Sequence, residues 1–344
     1  MSVVLIGIDE AGYGPLLGPL CVAMCAVRVH DWSPGEPAPD LWKRLSRGVV
    51  KAPGKSARGR IAINDSKKLK LANDGPRDPL VHLERGVLAA LGTMDLHPTC
   101  DHSLLATLGA ELDACPWYAP VIPIPTANEA ASMRIDASML SSAAAAGGVE
   151  FLALRCVTVC EQRFNDIVKA RGTKAAATAE GIREHLLTSW HTWSPRAGAP
   201  DHPPRLVCDR QGGRTAYAEM LAELLPIQPP GTPEIQVRVI EECAAQSRYH
   251  VALECPTGPR ELSVLFQPEA EMAHLTVALA SMTAKYCREL LMKRFNLYWN
   301  VQAFDRGLPE LKPTAGYRSD ARRWLHDARE LVDAGTRRTL VRIA

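Results

Sequence analysis

The feature that most constrains the fold is the first strand-like segment, which runs directly into two adjacent carboxylates. Val3 to Ile8 is an apolar run with the length of a strand buried on both faces, and Asp9 and Glu10 follow it. Acids at the end of such a strand are held on a rigid support at the edge of a sheet. Gly12 and Gly14 come next and leave the backbone bare, so a phosphate or a sugar can approach closely. An ordinary polar turn has a similar composition, so the pair of acids alone does not decide between the two interpretations.

The size and composition of the chain favour one or two domains with a sizeable core. The chain has 344 residues, and 47% of them are apolar. No apolar run is long enough to cross a bilayer, and the apolar start lacks the basic flank and the cleavage site of a signal peptide. The ten cysteines show no metal-binding spacing, so we expect reduced thiols in a cytoplasmic protein. The formal net charge of +2 indicates no particular partner.

Strand-like and helix-like segments alternate and predict an α/β fold, with a mixed sheet flanked by helices. Leu20 to Val29 is close enough to the first strand to form a hairpin with it. The clearest helical pattern runs from Ala270 to Phe295, with small residues on the half that faces a sheet. We predict one domain over residues 1–312, with an irregular insertion at about 96–148, and a C-terminal helical segment over 313–344 that completes a substrate groove. Other predicted strands are 150–159, 205–209, 234–240, 249–253 and 261–266; other predicted helices are 79–91, 161–190 with a break near 172, 215–225 and 320–333; and a proline-rich connection covers 194–204.

A strongly basic segment lies between residues 43 and 70. It contains ten lysines and arginines and one acid, Asp65. Such a segment is usually a solvated loop, but it also matches a phosphate-binding surface, because each neutralised phosphate releases counterions. Within it, residues 61–69 predict a short strand, a turn, and a helix capped by Asp65 or Ser66.

Acids stand at three places where predicted elements begin or end. Asp9 and Glu10 follow the first strand, Asp209 ends a later one, and Glu269 and Glu271 open the long helix. If these places converge, several carboxylates share one small site, and like charges at such short distances require a cation to stabilise them. Carboxylates without histidine or cysteine suit Mg²⁺ or Mn²⁺ rather than zinc. Two such ions, about 4 Å apart, would activate a water and stabilise the leaving oxygen in phosphodiester cleavage.

Five patches of the sequence follow the order of the motifs of a known family. They are Gly7-Ile8-Asp9-Glu10-Ala11-Gly12-Tyr13-Gly14-Pro15-Leu16-Leu17-Gly18-Pro19, Asn64-Asp65-Ser66-Lys67-Lys68-Leu69, Leu206-Val207-Cys208-Asp209 with Gly212, Ala280-Ser281-Met282-Thr283-Ala284-Lys285-Tyr286-Cys287-Arg288-Glu289, and Gly316-Tyr317. In these patches, which cover less than half of the chain, the protein resembles a divergent member, with insertions, of the type 2 ribonuclease H family (the bacterial ribonuclease HII type). The resemblance implies a ribonuclease H-like mixed sheet.

The resemblance also implies which acids bind metal and catalyse. The family's adjacent pair falls on Asp9 and Glu10, and its third acid falls on Asp209. The family's fourth acid is an aspartate, and the matching position holds Glu271, with Glu269 as the alternative. A glutamate can bind the same ions, although its extra methylene moves the carboxylate outward.

Five further residues match the substrate-binding positions of the family. Gly12, Tyr13 and Gly14 form the opening loop, Lys67 would contact a phosphate, and Tyr317 would pack on the sugar beside the cleaved link. The family has an arginine between the two glycines where this chain has Tyr13. The bare backbone can still bind a 2′-hydroxyl, but tyrosine lacks the charged fork that grips a phosphate.

The resulting hypothesis is an endonuclease that hydrolyses the RNA strand of RNA–DNA hybrids, or ribonucleotides embedded in DNA. It would leave a 3′-hydroxyl and a 5′-phosphate, use two Mg²⁺ or Mn²⁺ ions as cofactors, and act as a monomer without a membrane partner. Two alternatives stay open. One is a metal-dependent nuclease of the same fold with another nucleic-acid substrate, motivated by Tyr13 and the insertions. The other is a catalytically silent nucleic-acid-binding homologue, motivated by the altered loop and fourth acid.

Overall fold

A seven-stranded mixed sheet forms the centre of the fold. The computed structural model describes residues 1–33, 35–112, 114–194, 201–225, 233–256 and 258–343. The strands are β1 Ser2–Ala11, β2 Leu20–His30, β3 Val49–Val50, β4 Ile61–Ala62, β5 Val149–Val159, β6 Asp201–Asp209, β7 Gln236–Glu242, β8 Ser247–Leu253 and β9 Arg260–Gln267. The main sheet has the order β5-β2-β1-β6-β9-β8-β7, and β3 and β4 form a separate two-stranded sheet.

Helices cover both faces of the main sheet. The longest helix, of 31 residues, packs across β1 and β2 on one face, and a helix of 19 residues packs on the other. The helices are α1 Leu41–Arg44, α2 Ser66–Leu69, α3 Val81–Gly92, α4 Asp101–Thr107, α5 Ala130–Gly147, α6 Glu161–Arg171, α7 Ala175–Trp193, α8 Ala218–Leu224, α9 Ala270–Ala273, α10 Leu275–Asp305, α11 Arg318–Asp327 and α12 Ala334–Leu340. The predicted α/β fold, with a mixed sheet flanked by helices, is therefore confirmed. Among the described residues, no helix combines the length and the apolar character needed to span a membrane.

The central position of β1 explains its unbroken apolar sequence. It pairs antiparallel with β2 and parallel with β6. Ile6 and Ile8 enter the core on one face of the sheet, whereas Val3 and Leu5 enter the core on the other. Because parallel neighbours end on the same side of a sheet, the carboxyl ends of β1 and β6 lie next to each other.

The long helix α10 lies unusually close to β1 at Gly7. A Cβ atom on Gly7 would lie 2.2 Å from the backbone nitrogen of Val277, so only glycine fits there. The prediction of one helix starting at Ala270 is wrong in its first turn. Glu269 has a left-handed backbone with φ of 51°, and His274 is extended, so the one-turn helix α9 is separate from α10. Glu271 belongs to α9 and does not open the long helix.

The prediction of irregular chain at about 96–148 is also wrong. Two helices, α4 and α5, lie within this range, and α5 has 18 residues. Leu104, Trp117 and Leu140 are buried in the same core as α10. The alanine- and serine-rich sequence of α5 has weak hydrophobic periodicity, so the periodicity did not indicate a helix. Alanine nevertheless has the highest helix propensity, which favours a helix there.

The other predicted elements differ from the structure mainly at their ends. The break between α6 and α7 occurs at Gly172, with φ of 76°, as expected. The helix predicted over 320–333 corresponds to α11, which ends earlier, at Asp327, and is followed by α12. The predicted connection over 194–204 lies partly outside the described residues, and 201–204 belong to β6. The C-terminal helices contribute Trp324 and Leu340 to the core of the main sheet.

Candidate metal and nucleic-acid site

All nine residues predicted to act on metal or substrate line one cavity of about 230 Å³. Its walls come from the ends of β1 and β6, the loop after β1, the start of α2, helix α9, the middle of α10 and the segment before α11. The nine are Asp9, Glu10, Gly12, Tyr13, Gly14, Lys67, Asp209, Glu271 and Tyr317. Glu269, the alternative fourth acid, is exposed and is not among the lining residues. The roles of the nine remain predictions, whereas their convergence is a property of the fold.

Asp9 and Glu10 are residues of strand β1 that line the cavity. The Asp9 carboxylate accepts a hydrogen bond of 2.7 Å from the Glu10 backbone N–H. Burial and the neighbouring Glu10 raise the pKa of Asp9 well above its ordinary value, although a hydrogen bond from Ser281 opposes this. Burial and the charge of Asp209 raise the pKa of Glu10 from 4.5 to about 7, against the opposing charge of Lys67.

Asp209 is brought to the pair by the parallel pairing of β1 with β6. Its Oδ1 accepts a hydrogen bond of 3.0 Å from the backbone N–H of Ala270, which attaches the start of α9 to the end of β6. Burial raises the pKa of Asp209, while the backbone hydrogen bonds from Ala270 and Arg210 oppose the rise. The same contact places Glu271 beside the other three acids.

Glu271 supplies the fourth carboxylate. Its side chain is buried, and its Oε2 has no hydrogen-bond partner among the described residues. Burial raises its pKa, and the charge of Asp209 adds to the rise. A buried carboxylate oxygen without a donor is costly unless a cation or a proton satisfies it.

The donor set of the cavity fits hard divalent cations. Burial is the largest cause of the raised pKa in all four acids, and the charge of Lys67 opposes the rise in Glu10, Asp209 and Glu271. Oxygen donors without histidine or thiolate match Mg²⁺ and Mn²⁺. In the part of the chain that the structure describes, no three of these acids have ligand atoms that all lie within 4.8 Å of one another.

Lys67 provides positive charge next to the acids. It lies in α2, where the Asp65 carboxylate caps the helix by accepting a 2.9 Å hydrogen bond from the Lys67 backbone N–H. Its charge opposes the rise in the pKa of both Glu10 and Asp209. This capping was predicted from the sequence, and it fixes the direction in which α2 presents Lys67.

Tyr317 lines the same cavity, and two cations lie near its ring. Lys285 Nζ is 5.8 Å and Arg288 Cζ is 5.5 Å from the centre of its ring. The carbonyl of the preceding Gly316 accepts hydrogen bonds from the backbone N–H groups of Leu16 and Leu17, at 2.8 and 3.2 Å. The ring is 47% exposed, so it has a free surface for a ligand while its backbone is fixed to the loop after β1.

The basic segment does not form one continuous surface. Lys51 and Lys68 both contact Met272, next to Glu271, with Lys51 Nζ 3.1 Å from the Met272 carbonyl oxygen. Arg44 instead donates to the carbonyls of His30 and Gly147, away from the acids. Part of the basic segment therefore borders the cavity, and part stabilises the surrounding fold.

Four further residues of the cavity, Asp65, Ser66, Ser281 and Lys285, were not predicted to act on metal or substrate. The hydroxyls of Ser281 and Ser66 are hydrogen-bonded to each other over 3.0 Å, which links α10 to α2. Lys285 forms an ion pair of 2.8 Å with Glu289. All four lie inside the patches that resemble the family, and that location was the available signal.

Two other features lie apart from this site. A cavity of about 470 Å³ lies against β6 and β9, but Glu36 is the one acid among its described lining residues, so it lacks a carboxylate cluster. Cys115, Cys160 and Glu161 form the one described group of three whose ligand atoms all lie within 4.8 Å of one another. One oxygen of Glu161 already accepts hydrogen bonds from Tyr118 and from the backbone of Gly18.

Comparison with known proteins gives similar solved structures only. No protein-family model matches the chain, and no curated protein matches it. One of the similar structures is ribonuclease HII from Archaeoglobus fulgidus, solved in complex with PCNA. The alignment covers 99% of this chain and 94% of that ribonuclease chain, at 16% identity and a TM-score of 0.43. Another is ribonuclease H2 from Pyrococcus horikoshii, for which the alignment covers 99% of this chain and 92% of the Pyrococcus chain, at 14% identity and a TM-score of 0.43. A third is Bst-RNase HIII, solved with Mn²⁺, for which the alignment covers 99% of this chain and 66% of the Bst-RNase HIII chain, at 14% identity and a TM-score of 0.40. Similarity at this level does not place the chain in a family.

Proposed function

We propose that the protein is a metal-dependent endonuclease that hydrolyses the RNA strand of RNA–DNA hybrids, or ribonucleotides embedded in DNA. It would leave a 3′-hydroxyl and a 5′-phosphate. The observation that carries the proposal is the convergence of the nine residues predicted from the resemblance, which come from distant parts of the chain, on one cavity. Residues that only stabilise the fold have no reason to meet there as a cluster of carboxylates next to a lysine and an exposed tyrosine.

The four acids would hold the cations. Asp9, Glu10 and Asp209 stand on the rigid ends of β1 and β6, and Glu271 closes the cluster from α9. Two bound Mg²⁺ or Mn²⁺ ions would supply the chemistry, by activating water for in-line attack and by stabilising the departing 3′ oxygen. Because the cluster has raised pKa values, protons compete with metal, and the acids bind cations better as the pH rises.

The remaining lining residues would position the nucleic acid. Lys67 would contact a phosphate near the acids, and the neighbouring lysines of the basic segment would extend that contact along the backbone. The exposed ring of Tyr317 would pack on a sugar. The backbone of Gly12 to Gly14 would read the ribose 2′-hydroxyl, since a 2′-hydroxyl distinguishes RNA from DNA at a given site.

A second candidate keeps the chemistry and changes the substrate. The side chain of Tyr13 is 44% exposed at the cavity and carries no charge to hold a phosphate. An exposed aromatic ring in such a groove favours stacking on an unpaired base, as single-strand binding proteins do. The second candidate is therefore a nuclease of the same fold that acts on branched or single-stranded nucleic acid.

A series of labelled substrates tests the proposal. The series contains a duplex with one embedded ribonucleotide, a duplex with a run of ribonucleotides, all-DNA and all-RNA duplexes, and single strands. Each is incubated with Mg²⁺, Mn²⁺ or a chelator, beside an Asp9→Asn variant. We expect cleavage at ribonucleotides that is lost in chelator and in the variant. Preferred cleavage of DNA without ribonucleotides would favour the second candidate, and hybrid binding without cleavage in either metal would favour a silent binding protein.

A further inference from the structure

The loop after β1 is held from behind by an arginine near the C-terminus. Arg342 is 2% exposed, and its guanidinium lies over the ring of Phe164, with Cζ 3.7 Å from the ring centre. Its Nη1 donates to the carbonyls of Gly12 and Gly18, and its Nη2 donates to the carbonyl of Tyr13 over 3.0 Å. One side chain therefore binds three carbonyls of the same loop.

The backbone around Arg342 is fixed as well. Its own N–H donates to the carbonyl of Leu16 over 2.8 Å, which adds a fourth contact to the loop. On either side, Asn165 of α6 accepts from the N–H of Ile343 over 2.7 Å and donates to the carbonyl of Val341 over 2.9 Å. The guanidinium is therefore presented by an anchored segment.

The direction of these carbonyls determines the direction of two backbone amides. The peptide bonds of the loop are trans, and a trans peptide carries its C=O and N–H on opposite sides. Since the carbonyls of Gly12 and Tyr13 face Arg342, the N–H groups of Tyr13 and Gly14 face away from it. Neither N–H has an acceptor among the described residues. Both residues line the cavity that contains the four acids.

The environment of Arg342 makes a purely stabilising role a poor explanation. Burial, reinforced by the nearby charge of Arg288, lowers the pKa of Arg342 to about 10. Its Nε has no hydrogen-bond partner among the described residues. Taking the guanidinium out of water costs free energy that offsets part of what its contacts contribute, whereas its planar fork fixes several acceptors in one geometry.

We propose that Arg342 is a positioning residue that sets the substrate-reading geometry of the loop after β1. By binding the loop carbonyls, it directs the N–H groups of Tyr13 and Gly14 into the groove, where they donate to a ribose hydroxyl or a phosphate. The binding part of this inference rests on the proposed function. Arg342 itself does not touch the substrate, so its loss changes substrate binding more than the chemical step.

The test compares Arg342→Lys with Arg337→Lys, a matched change of an exposed arginine on α12. Lysine keeps the charge and most of the volume, but its single nitrogen replaces the two separate nitrogens with which the arginine fork binds the loop carbonyls. Hydrogen–deuterium exchange measures the loop amides without any substrate. We expect exchange of the hydrogen-bonded loop amides of Leu16, Leu17 and Gly18 to rise about tenfold or more in Arg342→Lys alone, with the rest of the chain unchanged. Unaltered loop exchange, or an equal rise throughout the chain, would overturn the proposal.

Kinetics on a ribonucleotide-containing duplex give the second readout. In Arg342→Lys we expect KM to rise by about tenfold and kcat to change by less than about threefold, because ground-state and transition-state binding are lost together. A fall in kcat at constant KM would contradict a positioning role in substrate binding. If wild-type protein cleaves no nucleic acid, the proposed function fails, whereas the exchange experiment still decides whether Arg342 organises the loop.

Discussion

Replacement of Glu10 by glutamine should stabilise the metal-free protein at neutral and alkaline pH. The pKa of Glu10 is raised from 4.5 to about 7, chiefly by burial and by Asp209. Between these two values the folded chain holds a proton that the unfolded chain has lost, so stability falls as the pH rises through this window. Each pH unit corresponds to about 1.36 kcal/mol, so the total loss above pH 7 is at most about 3 kcal/mol. Glutamine has the same shape and no charge, so Glu10→Gln should avoid this loss.

The assay is chemical denaturation followed by tryptophan fluorescence, at pH 5 and pH 8, in chelator and in Mn²⁺. In chelator at pH 8 we expect Glu10→Gln to exceed wild type by up to about 3 kcal/mol in the free energy of unfolding, and at pH 5 by much less. Mn²⁺ should stabilise wild type by about 2.7 kcal/mol at a hundredfold excess over its dissociation constant, and the variant by less. Glu310→Gln, at an exposed acid, is the control and should follow wild type.

Three outcomes would refute this reasoning. Glu10→Gln could be no more stable than wild type at pH 8 in chelator. The difference between the two proteins could be the same at pH 5 and pH 8. Mn²⁺ could stabilise both proteins equally. Any of these would mean that burial and Asp209 do not raise the pKa of Glu10 as described, or that its carboxylate does not bind Mn²⁺.

Further predictions concern the loop, the lysine and the fourth acid. Gly12→Ala should lower the melting temperature, because Gly12 has φ of 100° and a Cβ there would lie 2.5 Å from the Pro19 carbonyl oxygen. A Cβ on Gly14 would meet open space, so Gly14→Ala should melt like wild type. The same variant should raise KM if the backbone of Gly14 contacts nucleic acid. Equal melting of the two variants would contradict the loop geometry. Lys67→Met should move the acidic limb of the pH–rate profile to higher pH, because its charge opposes the rise in the pKa of Glu10; an unmoved limb would show that Lys67 does not act on the acids. Glu271→Gln should lower the cleavage rate by about 100-fold or more and Glu269→Gln by less than about twofold, and the reverse ranking would reassign the fourth acid.

The parts of the fold that could be predicted are those whose signal is local. The apolar run of β1 and the hairpin with β2 follow from residues next to each other in sequence, and the end of β6 at Asp209 follows from the same kind of pattern. The capping of α2 by Asp65 is local too. The convergence of Asp9, Glu10 and Asp209 could be expected because the ends of strands are predictable and because the chain resembles a known family there, and their role as metal ligands stays a prediction.

The parts that could not be predicted depend on tertiary contacts. The separation of α9 from α10 occurs inside a continuous helical pattern, and the hydrogen bond from Ala270 to Asp209 holds α9 in place. Helix α5 is stabilised by burial of residues such as Leu140, which its alanine-rich sequence hardly indicates. Arg342 lies about 330 residues from the carbonyl of Gly12 that it binds, and nothing near it in sequence marks that contact.

The most direct test of the central claim is a count of bound Mn²⁺. Free Mn²⁺ is measured by electron paramagnetic resonance during titration of wild type, Asp209→Asn and Glu310→Gln, each bound to a hybrid with an uncleavable linkage. We predict up to two Mn²⁺ per chain for wild type and Glu310→Gln, and at least about tenfold weaker binding or a lost ion for Asp209→Asn. Equal binding by Asp209→Asn and wild type, or cleavage by a wild-type chain that binds no Mn²⁺, would contradict the claim that the clustered acids are a metal-dependent hydrolytic centre.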